Sequence, residues 1–435
     1  MDISPLVILT HVRHAAIIDG FLPAAKRLGV PVVLLTDHRL DHLEYFSREP
    51  EFAPQQIAPD QIIECDVFNP LGVIDVLRGA GIRPAAVFSN SDHLQTSTAL
   101  VAAGFGLPGK DWRVCYAAKN KAAMRERLRE LDLPTPWFRS LLPGQGVPLD
   151  APWPLVAKPR EGVAGMDVQL CHAPDELQAY LQSFWQRHPG RAVLLEDYLD
   201  GPLFSLETLG DGRQLRAVGG FDTSLSAPPH FIELESNWNG PHIRQYRQQA
   251  LAQVAALGIG FGVCHSEFAL TARGPVLVEI NYRSIGDGCE FMLDRMFGGH
   301  WFEWILRLHL GHALDLAGID AELVTPRQAM LRFYVAKQSG RLSQASEPLN
   351  EQTDRAHAIY RSLRQIGDDI RMSHSNKDYL GVLSVVADGV NSLHETIAAI
   401  ESRLHWQIQS EAIQSIGTQA TDLHTLETES LERSA

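Results

Sequence analysis

The 435-residue chain has no CxxC pair, and its five cysteines (Cys65, Cys115, Cys171, Cys264, Cys289) are scattered. That spacing argues against a zinc ribbon or a dithiol redox motif and fits reduced, mostly buried thiols in a cytoplasmic protein. No apolar run reaches the ~18 residues of a membrane span. The first residues, MDISPLVILTHVRH, lack a basic start and a long apolar core, so no signal peptide is expected. There is no Lys/Arg block, and the formal charge is −14, which excludes a broad nucleic-acid-binding face. The first strand candidate, LVILT, is followed by THVRHAA and not by GxGxxG, so a nicotinamide-binding oxidoreductase is disfavoured. No internal repeat is visible. What remains is a soluble enzyme-sized chain, 45% hydrophobic, long enough for two or three domains.

Residues 1–110 alternate strand and helix patterns and read as a small Rossmann-like α/β unit with a parallel sheet. KNKAAMRERLRELDLPTP is strongly helical and stops at Pro134 and Pro136. From Pro154 the pattern becomes strand-rich, with helices at about 174–187 and 244–257. One helical region is expected over about 294–310. Residues 326–417 read as a small α+β cap. The polar tail, 418–435, is expected to fray.

The sharpest pattern is HSEFALTARGPVLVEINYR, residues 265–283. It reads as a hairpin with a three-residue loop, Ala272-Arg273-Gly274. In that register Glu267 faces Glu279, and His265 faces Asn281. Opposed β-carbons sit about 4.5–5.5 Å apart, where like charges repel. Alternation puts Glu279, Asn281 and Arg283 on one face. A hard divalent cation would relieve the repulsion through oxygen ligands, with Arg283 within reach of charge on a transferred phosphoryl group. Neutralisation of one acid by Arg283 is the plainer alternative.

Weaker signals flank it. PLVAKPREGVAGMDV is not a Walker A loop, because no helix follows its glycines. It reads as a flap over a polyphosphate, with Gly162 and Gly165 permitting close approach and Lys158 on phosphate oxygens; an ordinary strand-end lysine is the competing reading. Glu196 and Asp197 end the strand of VLLEDYL, where a nucleoside's base and ribose hydroxyls could be held. Lys121, taken alone, is a solvated lysine at a helix start. Arg13 and His14 follow the first strand, at the sheet edge where ligands bind in open α/β folds.

As an ordered set these segments resemble the ATP-grasp superfamily of carboxylate–amine ligases, over about 115–298. NKAAMRERLRELDLPTP resembles its lysine-bearing helix, PLVAKPREGVAG its lysine strand and flap, LLEDYLDGPLFSLE its adenine hinge and following acidic strand, and HSEF…VLVEINYR its metal-binding acid and Glu-x-Asn-x-Arg signature. The resemblance implies an N-terminal α/β domain (1–110), an ATP-grasp domain of two α+β halves (111–325) and the C-terminal region (326–417). It implies that Lys121 and Lys158 bind ATP phosphates, that Glu196 and Asp197 lie at the adenosine, and that Glu207 lies near the nucleotide. Glu267, Glu279 and Asn281 would hold two Mg²⁺, with Mn²⁺ as a substitute, and Arg283 would steady an acyl phosphate. The implied partners are a small-molecule carboxylate and an amine, in a peptide-like or siderophore-type pathway, with a homodimer as the expected assembly. Arg13, His14, His230, Ser284 and Asp287 are candidate substrate contacts. A short flap bearing Glu161, and SIGDGCEF after the signature, depart from the family's pattern. A bicarbonate-activating carboxylase and a non-catalytic ATP-binding module are the alternatives.

Overall fold

The computed structural model describes residues 4–47, 57–162, 164–323 and 327–410. The tail expected to fray lies outside them.

Continuous apolar runs make three of the four strands of the first sheet. β1 (Leu6–Leu9), β2 (Val32–Thr36), β3 (Gln61–Glu64) and β4 (Ala86–Phe88) pair in parallel in the order β3-β2-β1-β4. β1, β2 and β4 are buried throughout, as expected of a parallel sheet covered on both faces. Helix Gln95–Gly104 then leads to helices Trp112–Lys119 and Lys121–Glu130. Asn120 separates the last two, capping the second by accepting from the Ala123 N–H at 3.1 Å.

A four-stranded antiparallel sheet follows: β5 (Phe138–Leu141), β6 (Leu155–Pro159), β7 (Gln169–Cys171) and β8 (Val193–Asp197), in the order β5-β8-β6-β7. Helix Pro174–Arg187 packs on it through Leu177, Leu181 and Phe184. Pro174 at its first turn, with Asp175 and Glu176, suits a helix start.

The largest sheet carries β9 (Leu203–Asp211), β10 (Leu215–Gly219), β11 (Phe221–Leu225), β12 (Glu233–Trp238), β13 (Phe261–Thr271) and β14 (Gly274–Asn281). Its order runs β14-β13-β9-β11-β12, with β10 paired to β9. Helix Pro241–Ala256 covers the face opposite the site, burying Ile243, Ala250 and Val254 against Phe204, Phe268 and Leu277.

Four of the described C-terminal strands extend this same sheet. β15 (Gln328–Val335) pairs with β12 and with strand Tyr379–Ala387. A separate three-stranded sheet holds Gly340–Ala345, Asp369–Ile370 and Trp406–Gln409. The expected helix over 294–310 is two helices, Cys289–Met296 and Trp301–His309. Gly298 and Gly299, both at positive φ, break it, since glycine adopts that conformation without steric cost. All five cysteines are buried and unbonded. Among the described residues no helix is long and apolar enough to cross a membrane.

Candidate active site between two sheets

β9, β13 and β14 lie side by side and build the site's floor in rows. One row is Glu207, His265 and Asn281; the next is Ser205, Glu267 and Glu279. The opposition of Glu267 and Glu279 is as expected, but the turn is not. Thr271 pairs with Gly274, leaving a two-residue turn, Ala272-Arg273. A one-residue bulge at Val278, between the Phe268–Leu277 and Glu267–Glu279 pairs, restores the register at the acids. Leu277, Ile280 and Tyr282 face the core while Glu279 and Asn281 face a cavity of about 540 Å³.

Each acid in the second row already has a protein partner. Lys121 Nζ donates to Glu279 Oε1 at 2.8 Å and to the Gly162 carbonyl at 3.0 Å. His265 bridges Glu207 Oε1 (Nδ1, 2.6 Å) and Glu267 Oε1 (Nε2, 3.2 Å), and Asn281 Nδ2 donates to Glu267 Oε1 at 3.3 Å. Burial alone would lower the His265 pKa, but Glu207 and then Glu267 outweigh it and push it up to about 10. A cationic imidazole therefore sits between the two acids. The paired carboxylates are neutralised without a metal ion, so their repulsion is not by itself an argument for one. Their oxygen atoms and the Asn281 amide, on one cavity face, are nonetheless a donor set that suits Mg²⁺. Glu207 Oε2, fully buried, has no hydrogen-bond partner among the described residues.

The facing wall comes from the smaller antiparallel sheet. Lys158 Nζ lies 2.5 Å from Glu196 Oε2. Arg125, only 1% exposed, grips the same carboxylate through Nε (2.6 Å) and Nη2 (3.2 Å). Its Nη1 and Nη2 also donate to the carbonyls of Leu277 (2.8 Å) and Val278 (2.7 Å). One guanidinium thus ties β8 to the bulged segment of β14. Burial would raise the Glu196 pKa, but Arg125 and then Lys158 hold it down to about 2. Burial draws the Lys158 ammonium below its usual value, with Glu196 opposing.

The loop after β6 brings Gly162 and Gly165 to the cavity rim. Gly165 takes φ +66°, and the neighbouring Ala164 carbonyl accepts from the Asn376 N–H at 3.1 Å. The far end of the cavity is acidic. Arg283 makes its direct ion pair with Asp92 from the N-terminal sheet edge (Nε 2.8 Å, Nη2 2.7 Å), and its charge reaches Glu267 only as a lesser influence behind His265 and Lys121. Burial, then Glu267 and Asp287, push Glu233 up to about 8. Burial also raises Asp287, against Arg283.

The cavity gathers Lys121, Lys158, Gly162, Gly165, Glu196, Asp197, Glu267, Glu279, Asn281, Arg283 and Asp287. The other candidates lie elsewhere. Glu207 stands behind His265. His14, whose Nδ1 accepts from the Ala16 N–H, is close enough to Arg283 and Asp92 to feel both. Arg13 lies over the Tyr45 ring, His230 stacks on His374 at 4.4 Å, and the fully buried Ser284 hydroxyl accepts from Trp301 Nε1. Three residues of the site were not singled out in the sequence. Arg125 is one helical turn after Lys121 and shares its face, a spacing that could have flagged it. Asp92 follows β4 at the ligand-binding edge. Glu233 carried no signal.

No family model matches the chain. The uncharacterized protein y4rH of Sinorhizobium fredii is 26% identical over 342 residues, covering 74% of this chain and 68% of that protein. Carnosine synthase 1 of Gallus gallus is 29% identical over 241 residues, 49% of this chain and 26% of its own length; the chain thus spans about a quarter of that relative. Among solved structures, the L-amino acid ligase from Bacillus licheniformis superposes with a TM-score of 0.74 at 18% identity, covering 94% of this chain and all of that one. Phosphoribosylglycinamide synthetase from Anaerococcus prevotii gives 0.67 at 14% identity, over 94% and 100%.

The chain has the ATP-grasp fold. At 14–18% identity the likeness to these two structures is one of fold. A biotin carboxylase domain from Hydrogenobacter thermophilus that shares this fold, with a TM-score of 0.64 at 16% identity, has been solved with MgADP and bicarbonate.

Proposed function

We propose that the chain is an ADP-forming ligase that activates a small-molecule carboxylate as an acyl phosphate and joins it to an amine. One observation carries the reading: two lysines from separate elements, the Glu267/Glu279/Asn281 oxygen set and Arg283 converge on one cavity between two sheets. Lys121 and Lys158 would hold ATP phosphates under the Gly162–Gly165 loop. Glu196 and Asp197 stand at the adenosine end, where Glu196, itself gripped by Arg125, also holds Lys158. Glu267, Glu279 and Asn281 would hold Mg²⁺, which supplies charge neutralisation for the phosphates.

A substrate carboxylate oxygen attacks the γ-phosphorus; the bond to the β–γ bridging oxygen breaks, and ADP leaves. The amine nitrogen then attacks the acyl carbon, loses a proton and expels phosphate. The chain positions the reactants and stabilises charge, as is usual in phosphoryl transfer. Arg283, held by Asp92, would stabilise the charge developing on the acyl phosphate. Asp287, His14, Arg13, Ser284 and His230 belong to the proposal as substrate-side residues, with Asp287 in the cavity itself.

The division at 110/111 and 325/326 is part of the same reading, as are a homodimer, a cytoplasmic location, two metal ions and acceptance of Mn²⁺. Amino-acid-like substrates are favoured by the likeness to an L-amino acid ligase and to carnosine synthase 1; a siderophore branch rests on sequence resemblance alone. The test is a screen of acid and amine pairs for Mg²⁺-dependent ADP release. Release that needs both partners supports ligation. Release with bicarbonate and no amine would indicate the carboxylase alternative.

A further inference from the structure

A second group of metal-type ligands lies outside the cavity. His11 follows β1, and Asp37 and His38 follow β2, the neighbouring strand. Both loops open at the C-terminal edge of the parallel sheet, where side chains from adjacent strands converge. One donor atom from each of His11, Asp37 and His38 lies within 4.8 Å of the other two. From this convergence we infer a transition-metal site of two imidazoles and one carboxylate, for Zn²⁺ or a similar borderline divalent ion.

The donor types decide the metal class. Imidazole nitrogen suits Zn²⁺, Co²⁺ or Ni²⁺, whereas the all-oxygen set of the cavity suits Mg²⁺. The ligand-bearing loops are tied together before any ion arrives. Thr36 Oγ1 donates to the His11 carbonyl at 3.0 Å and accepts from the His38 N–H at 3.1 Å. His42 Nδ1 in turn lies 3.0 Å from the His38 carbonyl. The His11 and His38 rings meet edge to face at 4.5 Å, and Phe68 makes a second edge-to-face contact with His11 at 5.2 Å. Metal–nitrogen bonds of about 2.0–2.1 Å need the donors somewhat closer together than this. His38, with 41% of its side chain exposed, can turn to close the gap. The ion would replace the His11 Nδ1–Asp37 hydrogen bond of 2.7 Å, and water completes the shell. Three protein ligands with an open position is the arrangement of a zinc site that can take a further ligand.

The competing account is a plain surface ion pair between His11 and Asp37. The two separate in a Co²⁺ titration of the full, tag-free chain, freed of metal and held in excess Mg²⁺ to fill the carboxylate site. We expect a single Co²⁺ per chain with a visible ligand-field absorption, displaced by Zn²⁺. His11→Ala, His38→Ala and Asp37→Asn should each weaken Co²⁺ binding at least about tenfold. His93→Ala, on the same edge but outside the group, should leave it unchanged. Metal-free melting of each variant reports whether it folds, and a Zn²⁺-induced rise in melting temperature should be present in the wild type and absent from folded ligand variants. No Co²⁺ signal in the wild type, or an equal signal in the His11→Ala/His38→Ala double variant, overturns the site and leaves an ion pair only. None of these readouts depends on ligase activity.

Discussion

Replacing Arg125 by Met removes four hydrogen bonds from the wall that faces the carboxylate hairpin: two to Glu196 and one each to the Leu277 and Val278 carbonyls. Breaking a buried ion pair costs about 3–5 kcal/mol, and a stranded buried carbonyl about 1–3 kcal/mol. Lys158 still neutralises Glu196, and Met fills much of the vacated volume, so with two carbonyls stranded we expect the low end of the summed range, about 5 kcal/mol. Urea unfolding of wild type and Arg125→Met measures it. Tryptophan fluorescence and far-ultraviolet circular dichroism should be followed separately, because a chain with several sheets need not unfold in one step. A second effect distinguishes this triad from ordinary core packing. With Arg125 gone, Glu196 holds Lys158 alone, so ATP binding should weaken more than the binding of an inhibitor that lacks phosphates. In a double-mutant cycle, Arg125→Met and Glu196→Gln should couple by more than about 1 kcal/mol. A variant within about 0.5 kcal/mol of wild type, the scatter typical of surface changes, would refute the claim that this guanidinium joins the two walls.

Three further outcomes are expected. Glu207 and Glu267 raise the His265 pKa in the folded chain to about 10 from the ordinary 6.5, so its stabilising charge is fully present below about pH 6.5 and is lost as pH rises through 10. Urea stability of the wild type should therefore decline across that window more steeply than that of His265→Asn, and parallel curves would contradict a charged His265. Gly220→Ala would place a β-carbon 1.9 Å from the Ser205 carbonyl oxygen, on the strand beside the acids, so it should lower the melting temperature markedly; an unchanged midpoint would show that the strands can part without cost. Lys121→Ala should raise KM for ATP about 10- to 100-fold and leave Glu279 without its 2.8 Å partner, which a titration of Mg²⁺ dependence would reveal as a changed metal requirement.

The paired acids were legible because residue types and spacing alone fix which side chains share a sheet face. Their register came out as expected for a different reason, since the two-residue turn and the bulge at Val278 offset each other. A bulge leaves no mark in a run such as PVLVEIN. Partners far apart in sequence were hidden altogether: Asp92 meets Arg283 across 191 positions, and Arg125 meets Glu196 across 71. Gly298-Gly299 could have announced the helix break, and periodicity over the flanking apolar residues masked it. Strand patterns in the C-terminal region were visible, but a pattern of buried faces does not say which strand will be the neighbour. The β12–β15 pairing that merges that region with the central sheet therefore had no sequence signal.

The central claim is that one cavity activates an acid with ATP and passes it to an amine. Amine-dependent ADP release with Mg²⁺, measured for wild type and Arg283→Ala on the same acid and amine pair, tests it most directly. We predict release that requires both substrates in the wild type and falls about 10²- to 10³-fold in Arg283→Ala. Full amine-dependent release by Arg283→Ala, or no stimulation of the wild type by any pair, would contradict it.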